Sequence, residues 1–263
     1  MLGAIIGDIV GSVYEWNNIK TKDFPLFHDD CAFTDDTVMT LAVAGAILAA
    51  YPHYENLGGL AVSQMRKLGR AYPGCGYGGM FQQWLDSDGM GSYHSFGNGA
   101  AMRVSPCGFA AKSLGEAIGL SRKVTEVTHN HPEGMKGAEA AAACVFLARG
   151  GKSVCEIRDH VSAHYYPMNF TLDEIREGYA FNETCQETVP QAIMAFLESS
   201  GFEDAVRNAV SLGGDSDTLA AITGSIAEAA YGIPKEIADR ALGYLDAPLR
   251  EVYDRWRDAI QIG

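Results

Sequence analysis

Apolar residues recur along the chain at spacings of three and four, which is the period of an α-helix. Residues 37–50 (TVMTLAVAGAILAA) are apolar on nearly every face, so we expect a buried helix there. Residues 134–149 are rich in alanine and are followed by Gly150 and Gly151, which predicts a helix that stops at these glycines. Alternating strand patterns are scarce. The pattern therefore predicts an all-α fold.

Five further segments show the helical period. In one of them Pro190 stands at the first position, where a helix tolerates proline best. Another is small and apolar and ends before Gly232 and Pro234. The predicted helices are 190–199, 202–212, 219–231, 235–245 and 249–260. Because the sequence contains no repeat, linker or low-complexity tract, we expect a single domain over residues 1–263.

Composition limits the class of protein and its partners. The chain has 263 residues, of which 47% are hydrophobic, and this is typical of a folded globular protein. Its formal net charge is −13 and no run of Lys or Arg occurs, which argues against a general nucleic-acid or anionic-membrane surface. A local pocket for a phosphorylated ligand remains possible.

The cysteines and the apolar segments indicate the compartment. The six cysteines form no C-x-x-C pair, and a chain of this length does not need disulfides, so we expect reduced thiols in a cytoplasmic protein. The first residues lack a basic region, and Asp8 interrupts their apolar run, unlike a signal peptide. No apolar run reaches the ~20 residues of a membrane helix.

Two short acidic clusters precede predicted helices. Residues 34–37 read TDDT and residues 215–218 read DSDT. Asp, Ser and Thr are common helix N-caps and first-turn carboxylates suit the helix dipole, so either cluster alone is compatible with an ordinary helix start. A cap uses one side chain, whereas each cluster supplies two carboxylates and contains no Lys or Arg. The adjacent Asp35 and Asp36 cannot both be the cap, which favours a further role.

A metal site explains both clusters if they meet in the fold. Four converging carboxylates would raise one another's pKa and oppose folding unless a cation neutralises them. Oxygen ligands select hard cations such as Mg²⁺, Mn²⁺ or Ca²⁺, and no Cys/His spacing in the sequence points to zinc. Two hard cations ~4 Å apart can hold substrate hydroxyls and lower the pKa of a bound water. Spacing alone leaves open whether the clusters meet.

Other candidate residues have two readings each. Glu15 is either a surface charge or a general acid/base beside the metals. His129 and His131 form an H-x-H pattern, but without a third ligand a ligand-contacting or turn histidine is favoured over a metal pair. The loops 72–79 and 86–99 are rich in Gly, Ser, Asp and aromatic residues, which suits either a binding loop or ordinary surface turns.

Four motifs together resemble the ADP-ribosylglycohydrolase family, which includes the dinitrogenase-reductase-activating glycohydrolases and the vertebrate ADP-ribosyl-acceptor hydrolases. The motifs are G-D-x-x-G-S-x-Y-E, T-D-D-T, G-N-x-A-x-M-R-x-x-P and G-G-D-x-D-T. Each one alone is weak, but their joint match is specific and covers most of the chain.

The resemblance implies a single-domain orthogonal helical bundle with a binuclear metal site at helix N-termini. It implies two Mg²⁺ ions, with Mn²⁺ as the alternative, and Glu15 and Asp36 as catalytic residues. The implied metal ligands are Thr34, Asp35, Asp36, Asp215, Asp217 and Thr218. The implied substrate-binding residues are Gly76, Tyr77, Gly78, Ser95, Phe96, Gly97, Asn98 and His129. Phe96 replaces the more familiar tyrosine, and Asn130-His131 departs from the small residues expected there.

The implied activity is hydrolysis of the glycosidic bond between ADP-ribose and its acceptor, with release of ADP-ribose. The metals would hold the vicinal hydroxyls of the distal ribose, while Asp36 or Glu15 activates a water and Glu15 protonates the leaving group. The sequence leaves the acceptor open among arginine, serine, O-acetyl and poly(ADP-ribose). We expect a monomer whose partner is an ADP-ribose-bearing protein or small molecule. The alternatives are a non-enzymatic ADP-ribose-binding or structural protein, and a metallohydrolase of another phosphorylated sugar or nucleotide.

Overall fold

The computed structural model describes residues 1–260, and every regular element in this part of the chain is a helix. The predicted all-α fold is therefore confirmed. The helices are α1 (Leu2–Gly11), α2 (Asp35–Ala50), α3 (Leu57–Ala71), α4 (Gly79–Asp86), α5 (Gly99–Met102), α6 (Ser105–Ala110), α7 (Leu114–Thr125), α8 (Pro132–Arg149), α9 (Val154–His164), α10 (Leu172–Arg176), α11 (Cys185–Leu197), α12 (Phe202–Val210), α13 (Ser216–Tyr231), α14 (Lys235–Leu242) and α15 (Ala247–Ile260).

Helix α13 lies at the centre of the molecule. It packs against α1, α8, α11 and α12, and it is buried continuously from Ser216 to Ala227. Its small apolar residues face neighbours on every side, which is typical of a helix inside a larger core. Helix α2 is a second buried helix and packs against α3 and α15. The N-termini of α2 and α13 therefore belong to helices that are held in place by burial in the core.

Glycines allow α1 to lie directly on α13. All ten residues of α1 are buried. A Cβ atom at Gly7 would lie 1.9 Å from the carbonyl oxygen of Ala220, and one at Gly3 would lie 2.1 Å from that of Gly224. Since real Cβ atoms do not approach a carbonyl oxygen so closely, only glycine permits this backbone contact. The contact brings the C-terminal end of α1 next to the N-terminal end of α13.

The seven predicted helices all form, with one clear error of position. Helix α11 begins at Cys185 rather than at Pro190, so the proline lies inside the helix. Pro190 cannot donate to the carbonyl of Gln186, which normally costs several kcal/mol. The burial of α11 against α8, α12 and α13 outweighs this local cost. Helices α1, α3–α7, α9 and α10 were not predicted, because several are short and most carry mixed polar and glycine residues.

One hydrophobic core runs through the helices. All six cysteines are free thiols, and four of them are buried. Over residues 1–260, no helix has the length and apolarity needed to cross a membrane.

Candidate active site

A cavity of about 280 Å³ opens where the N-termini of α2 and α13 meet. The loops that precede α4 and α5 complete its wall, together with the segment after α1. Most of the predicted site residues line this cavity. They are Glu15, Thr34, Asp35, Asp36, Gly76, Gly78, Ser95, Gly97, Asn98, His129, Asp215, Asp217 and Thr218.

The two acidic clusters are joined by a direct hydrogen bond. Thr218 Oγ1 donates to Asp36 Oδ2 over 3.1 Å, which links the first turn of α13 to the first turn of α2. Thr34 is the N-cap of α2, since its side chain accepts the backbone N–H of Asp36. Asp215 precedes α13, and its side chain accepts no capping hydrogen bond from the backbone of the helix. Capping therefore accounts for Thr34 but not for the carboxylates.

Glu15 reaches the same point from a different part of the chain. Carboxylate oxygens of Glu15, Asp215 and Asp217 lie within 4.8 Å of one another. Asp215 and Asp217 are buried, whereas Glu15 is half-buried. Residues from opposite ends of the sequence thus present three carboxylates to one small volume.

The cavity is a costly environment for negative charge. Burial, followed by the neighbouring carboxylates, raises the pKa of Asp35, Asp36 and Asp217 well above the usual range. Burial and then the charges of Asp215 and Asp8 raise the pKa of Glu15 to about 7. A positive charge beside these carboxyl groups would lower their pKa values again and favour their ionised forms.

The donor atoms suit a hard cation. Asp36 Oδ1 and Asp217 Oδ1 are buried and have no hydrogen-bond partner in the described chain, which is unusual for carboxylate oxygens. The Asp and Thr side chains of the two acidic clusters offer carboxylate and hydroxyl oxygens, the ligands that Mg²⁺, Mn²⁺ and Ca²⁺ prefer. The residues present therefore fit an oxygen-coordinated divalent cation.

Asn98 contacts a carboxylate directly. Its Nδ2 donates to Asp215 Oδ2 over 2.6 Å and to Thr188 Oγ1 over 3.3 Å, and its own backbone N–H donates to the carbonyl of Glu183. The family resemblance implies a substrate-binding role for Asn98. It lines the cavity, but its side chain also fixes the orientation of Asp215.

Asp8 is a supporting residue whose role the sequence reasoning missed. Its buried carboxylate accepts the backbone N–H and the hydroxyl of Thr34, at 2.9 and 2.7 Å, and the backbone N–H of Thr37 at 3.1 Å. Burial is the largest influence on Asp8 and raises its pKa to about 6. The available signal was a charge within an otherwise apolar helix. In the sequence, this charge argues against a signal peptide and forms part of the G-D-x-x-G-S-x-Y-E motif, but neither use gives Asp8 a place in the site.

Two predicted substrate-binding side chains lie outside the cavity lining. The ring of Tyr77 packs beside Phe81, with centroids 5.8 Å apart. The Phe96 side chain is 43% exposed and lies 5.1 Å from the ring of His131. His131 itself accepts the backbone N–H of Glu133 and so caps α8, which makes it a turn histidine.

Nine further residues line the cavity without having been assigned a role from the sequence. Among them, Tyr93, Arg103, Phe181 and Glu183 carry polar or aromatic side chains. Arg103 belongs to the G-N-x-A-x-M-R-x-x-P motif but had no assigned role, and it is only 1% exposed. Phe181 stacks on Trp16, with ring centroids 5.1 Å apart.

The sequence model of one family, described as ADP-ribosylglycohydrolase, matches residues 1–261. The chain belongs to the ADP-ribosylglycohydrolase family. It is 26% identical to ADP-ribosylhydrolase ARH3 of Xenopus tropicalis, over 94% of this chain and 91% of that protein. It is 27% identical to ADP-ribosylarginine hydrolase Tri1 of Pseudomonas putida (strain GB-1), over 97% of this chain and 77% of that protein.

A solved structure of the same fold is the ADP-ribosylglycohydrolase-related protein complex. The TM-score is 0.72, and the match covers 98% of this chain and 95% of that one. Because the two sequences are only 24% identical, this comparison shows a shared fold and no more than that.

Proposed function

We propose that this ADP-ribosylglycohydrolase family member is a metal-dependent hydrolase that cleaves the bond between ADP-ribose and its acceptor. The single observation that carries the proposal is the meeting of Glu15 with the two acidic helix starts in one cavity. Relatives named as ADP-ribosylhydrolases support the same reaction. The catalytic domain is taken to span residues 1–263.

The proposed cofactor is a pair of Mg²⁺ ions, with Mn²⁺ as the alternative. The unpartnered oxygens of Asp36 and Asp217 support a cation beside each acidic cluster. When bound, such cations supply positive charge that orients sugar hydroxyls and favours deprotonation of a water. The proposed ligands are Thr34, Asp35, Asp36, Asp215, Asp217 and Thr218.

The chain's own residues supply the proton transfers. Water adds to the anomeric carbon of the distal ribose while the bond from that carbon to the acceptor breaks. The Asp36 carboxylate lines the cavity and is the proposed acceptor of the proton of the attacking water. Glu15, whose pKa is raised to about 7, can carry a proton near neutral pH and donate it to the departing acceptor atom. The products are free ADP-ribose and the protonated acceptor.

The glycine-rich loops are the proposed substrate contacts. Gly76 has a φ of +100° and Gly97 precedes α5, so both bring backbone close to the cavity without a side chain. Ser95 and His129 add polar groups to the same wall. Tyr77 and Phe96 contribute through the loops that carry them rather than through cavity-lining rings. The proposed partner is an ADP-ribosylated protein or small molecule, and a monomeric cytoplasmic protein stays our prediction.

Release of free ADP-ribose tests the proposal. Arginine-, serine- and O-acetyl-linked substrates would be incubated with Mg²⁺ or Mn²⁺, and in parallel with chelator. We expect chelator-sensitive release of intact ADP-ribose from at least one linkage, and loss of release in Glu15→Gln. Asp29→Asn, which changes an exposed carboxylate, is the matched control with wild-type activity.

The products also separate the alternatives. A pyrophosphatase would release AMP rather than intact ADP-ribose. Binding of ADP-ribose without turnover of any linkage would instead identify a non-enzymatic binding protein. Equal activity with and without chelator would contradict the proposed metal dependence.

A further inference from the structure

Arg103 is a buried cation without an ion-pair partner in the described chain. It is 1% exposed, and no Asp or Glu oxygen of the described chain lies within ion-pair distance of its guanidinium. The ring of Phe81 lies under the guanidinium, 5.5 Å from Cζ to the ring centroid. A buried charge is expensive unless it is paired or does something specific. The contacts of Arg103 indicate what it does.

One nitrogen of Arg103 contacts the turn between α7 and α8. Its Nη2 donates to Thr128 Oγ1 over 2.6 Å and faces His129 Nδ1 at 3.1 Å. Thr128 Oγ1 lies 2.8 Å from the same Nδ1. The backbone N–H of His129 is held by the carbonyl of Thr125, so the ring starts from a fixed position. Nη2 of Arg103, Oγ1 of Thr128 and Nδ1 of His129 therefore form a buried triangle of polar contacts.

This triangle decides where the imidazole carries its proton. A guanidinium has only donors, so a ring nitrogen facing it must be an acceptor. A proton on Nδ1 would point at the N–H of Arg103, donor against donor. The neutral ring must then carry its proton on Nε2. Burial, and next the charge of Arg103, lowers the pKa of His129 well below its usual value, so the ring stays neutral.

The protonated side of the ring faces the cavity. His129 lines the cavity, and Nε2 has no hydrogen-bond partner within residues 1–260. The nearby wall is glycine backbone, because Cβ atoms built at Gly97 and Gly99 would lie 3.6 and 3.5 Å from Nε2. An N–H in this position requires an acceptor, and a ligand in the cavity can supply one.

We propose that Arg103 is a positioning residue that fixes His129 as the Nε2–H tautomer, which donates a hydrogen bond to an oxygen of the bound ligand. The identity of that ligand as ADP-ribose rests on the proposed function. Arg103 acts through His129 and needs no contact with the reacting atoms. The tautomer itself is a property of the protein without any ligand.

Nuclear magnetic resonance tests the tautomer directly. Two-bond ¹H–¹⁵N correlations would be recorded on protein with ¹⁵N-labelled histidine, and His129 would be assigned by its loss in His129→Gln. We expect the Nε2–H pattern in the wild type from pH 5.5 to pH 8. An Nδ1–H pattern or an imidazolium pattern at pH 7 would overturn the proposal without any variant of Arg103.

Two variants distinguish Arg103 from its neighbour. In Arg103→Met, Thr128 can either donate to Nδ1 or accept from it, so we expect His129 to show mixed tautomers or to titrate. In Thr128→Val, a matched change of similar volume, the bond from Arg103 remains and the Nε2–H pattern should persist. The reverse outcome, with Thr128→Val mixed and Arg103→Met unchanged, assigns the positioning to Thr128 and rejects the proposal.

A double-mutant cycle tests the consequence for the ligand. We expect Arg103→Met and His129→Gln each to weaken ADP-ribose binding about tenfold in calorimetry, and the double variant to bind no worse than His129→Gln. In turnover, the loss should be found in KM, with kcat little changed. Additive losses would show that Arg103 does not act through His129.

Failure of the proposed function has a different signature. If ADP-ribose does not bind to the wild type, the ligand assignment fails while the tautomer measurement still stands. If ADP-ribose binds and is released normally but the His129 pattern is not Nε2–H, the positioning proposal alone fails.

Discussion

The carboxylates of the cavity are oriented by polar partners that stand behind them. Asn98 donates to Asp215, and Asp8 accepts three hydrogen bonds from the start of α2. Groups that orient metal ligands influence cation affinity without touching the cation. The site therefore depends on more residues than those facing the substrate.

Asn98→Ala should weaken cation binding about 10- to 100-fold, because Asp215 loses the donor that fixes its orientation. Titration of Mg²⁺ or Mn²⁺ by calorimetry would measure this loss. Asn17→Ala, which changes an exposed amide, serves as the control and should bind the cation normally. An unchanged affinity in Asn98→Ala would mean that Asp215 is held by other contacts.

Asp36→Asn and Asp217→Asn should each reduce turnover by at least about 100-fold, because each removes an ionised oxygen from the site. In chelator, neither variant should unfold at a lower temperature than the wild type, since a neutral amide relieves repulsion among buried carboxylates. Steady-state rates and thermal unfolding would be measured together. A double variant with metal-independent activity would end the metal hypothesis.

Helix α1 sets the position of the site through its contact with α13. Gly7 is in backbone contact with Ala220, and a Cβ at Gly11 would lie 2.4 Å from the Cα of Asp217. Any residue that separates the two helices would also move Asp217 away from Glu15, which follows α1. Packing of these helices and geometry of the carboxylates are therefore linked.

Gly7→Ala should destabilise the protein by roughly 1–3 kcal/mol or more, because the new methyl group overlaps the Ala220 carbonyl. The matched control is Gly119→Ala in α7, where a Cβ meets nothing within 4 Å. That change should stabilise the protein by about 0.5–1 kcal/mol, because alanine has a higher helix propensity than glycine. Urea unfolding of both variants measures the difference. Equal free energies of unfolding for the two variants would mean that α1 can shift on α13 to make room for the new methyl group.

At the level of elements, the sequence predicted what depends on local pattern. Helices α2, α8 and α13 were predicted because their apolar periodicity is strong over many residues. Helix α11 was misplaced because tertiary burial overcame the local cost of Pro190. Short helices such as α5 and α10 carry too few residues for a period to be read.

The same division holds for the site. A metal site shared by residues 34–37 and 215–218 was proposed from their unusual charge at helix starts, and the resemblance supplied the individual ligands. Asp8 was missed because its role depends on hydrogen bonds from α2, and Arg103 because its role depends on a turn after α7. Tyr77 and Phe96 were assigned by resemblance, whereas side-chain direction depends on loop conformation. Contacts between distant segments are not visible in a local pattern.

For the whole molecule, the acidic cavity should make stability depend on divalent cations. A cation at 100 times its dissociation constant adds about 2.7 kcal/mol to the free energy of unfolding. For a chain of this size that corresponds to an increase in Tm of roughly 5–10 °C. Thermal unfolding with Mg²⁺, Mn²⁺ and chelator would measure the increase, and K⁺ at matched ionic strength is the control. An equal Tm in chelator and in cation would contradict binding at this site.

The backbone contact between α1 and α13 joins segments that the ribosome makes at very different times. The hydrogen bond between Asp36 and Thr218 spans 182 residues. At typical rates of synthesis, about 10 to 40 s separate the two residues. Throughout this interval α1, buried on every side in the finished protein, can pack against α2 but lacks α13, the helix it contacts most extensively. Until α13 is made, the growing chain therefore leaves part of an apolar helix uncovered, the kind of surface that chaperones bind. It has no active site until nearly all of it has been translated.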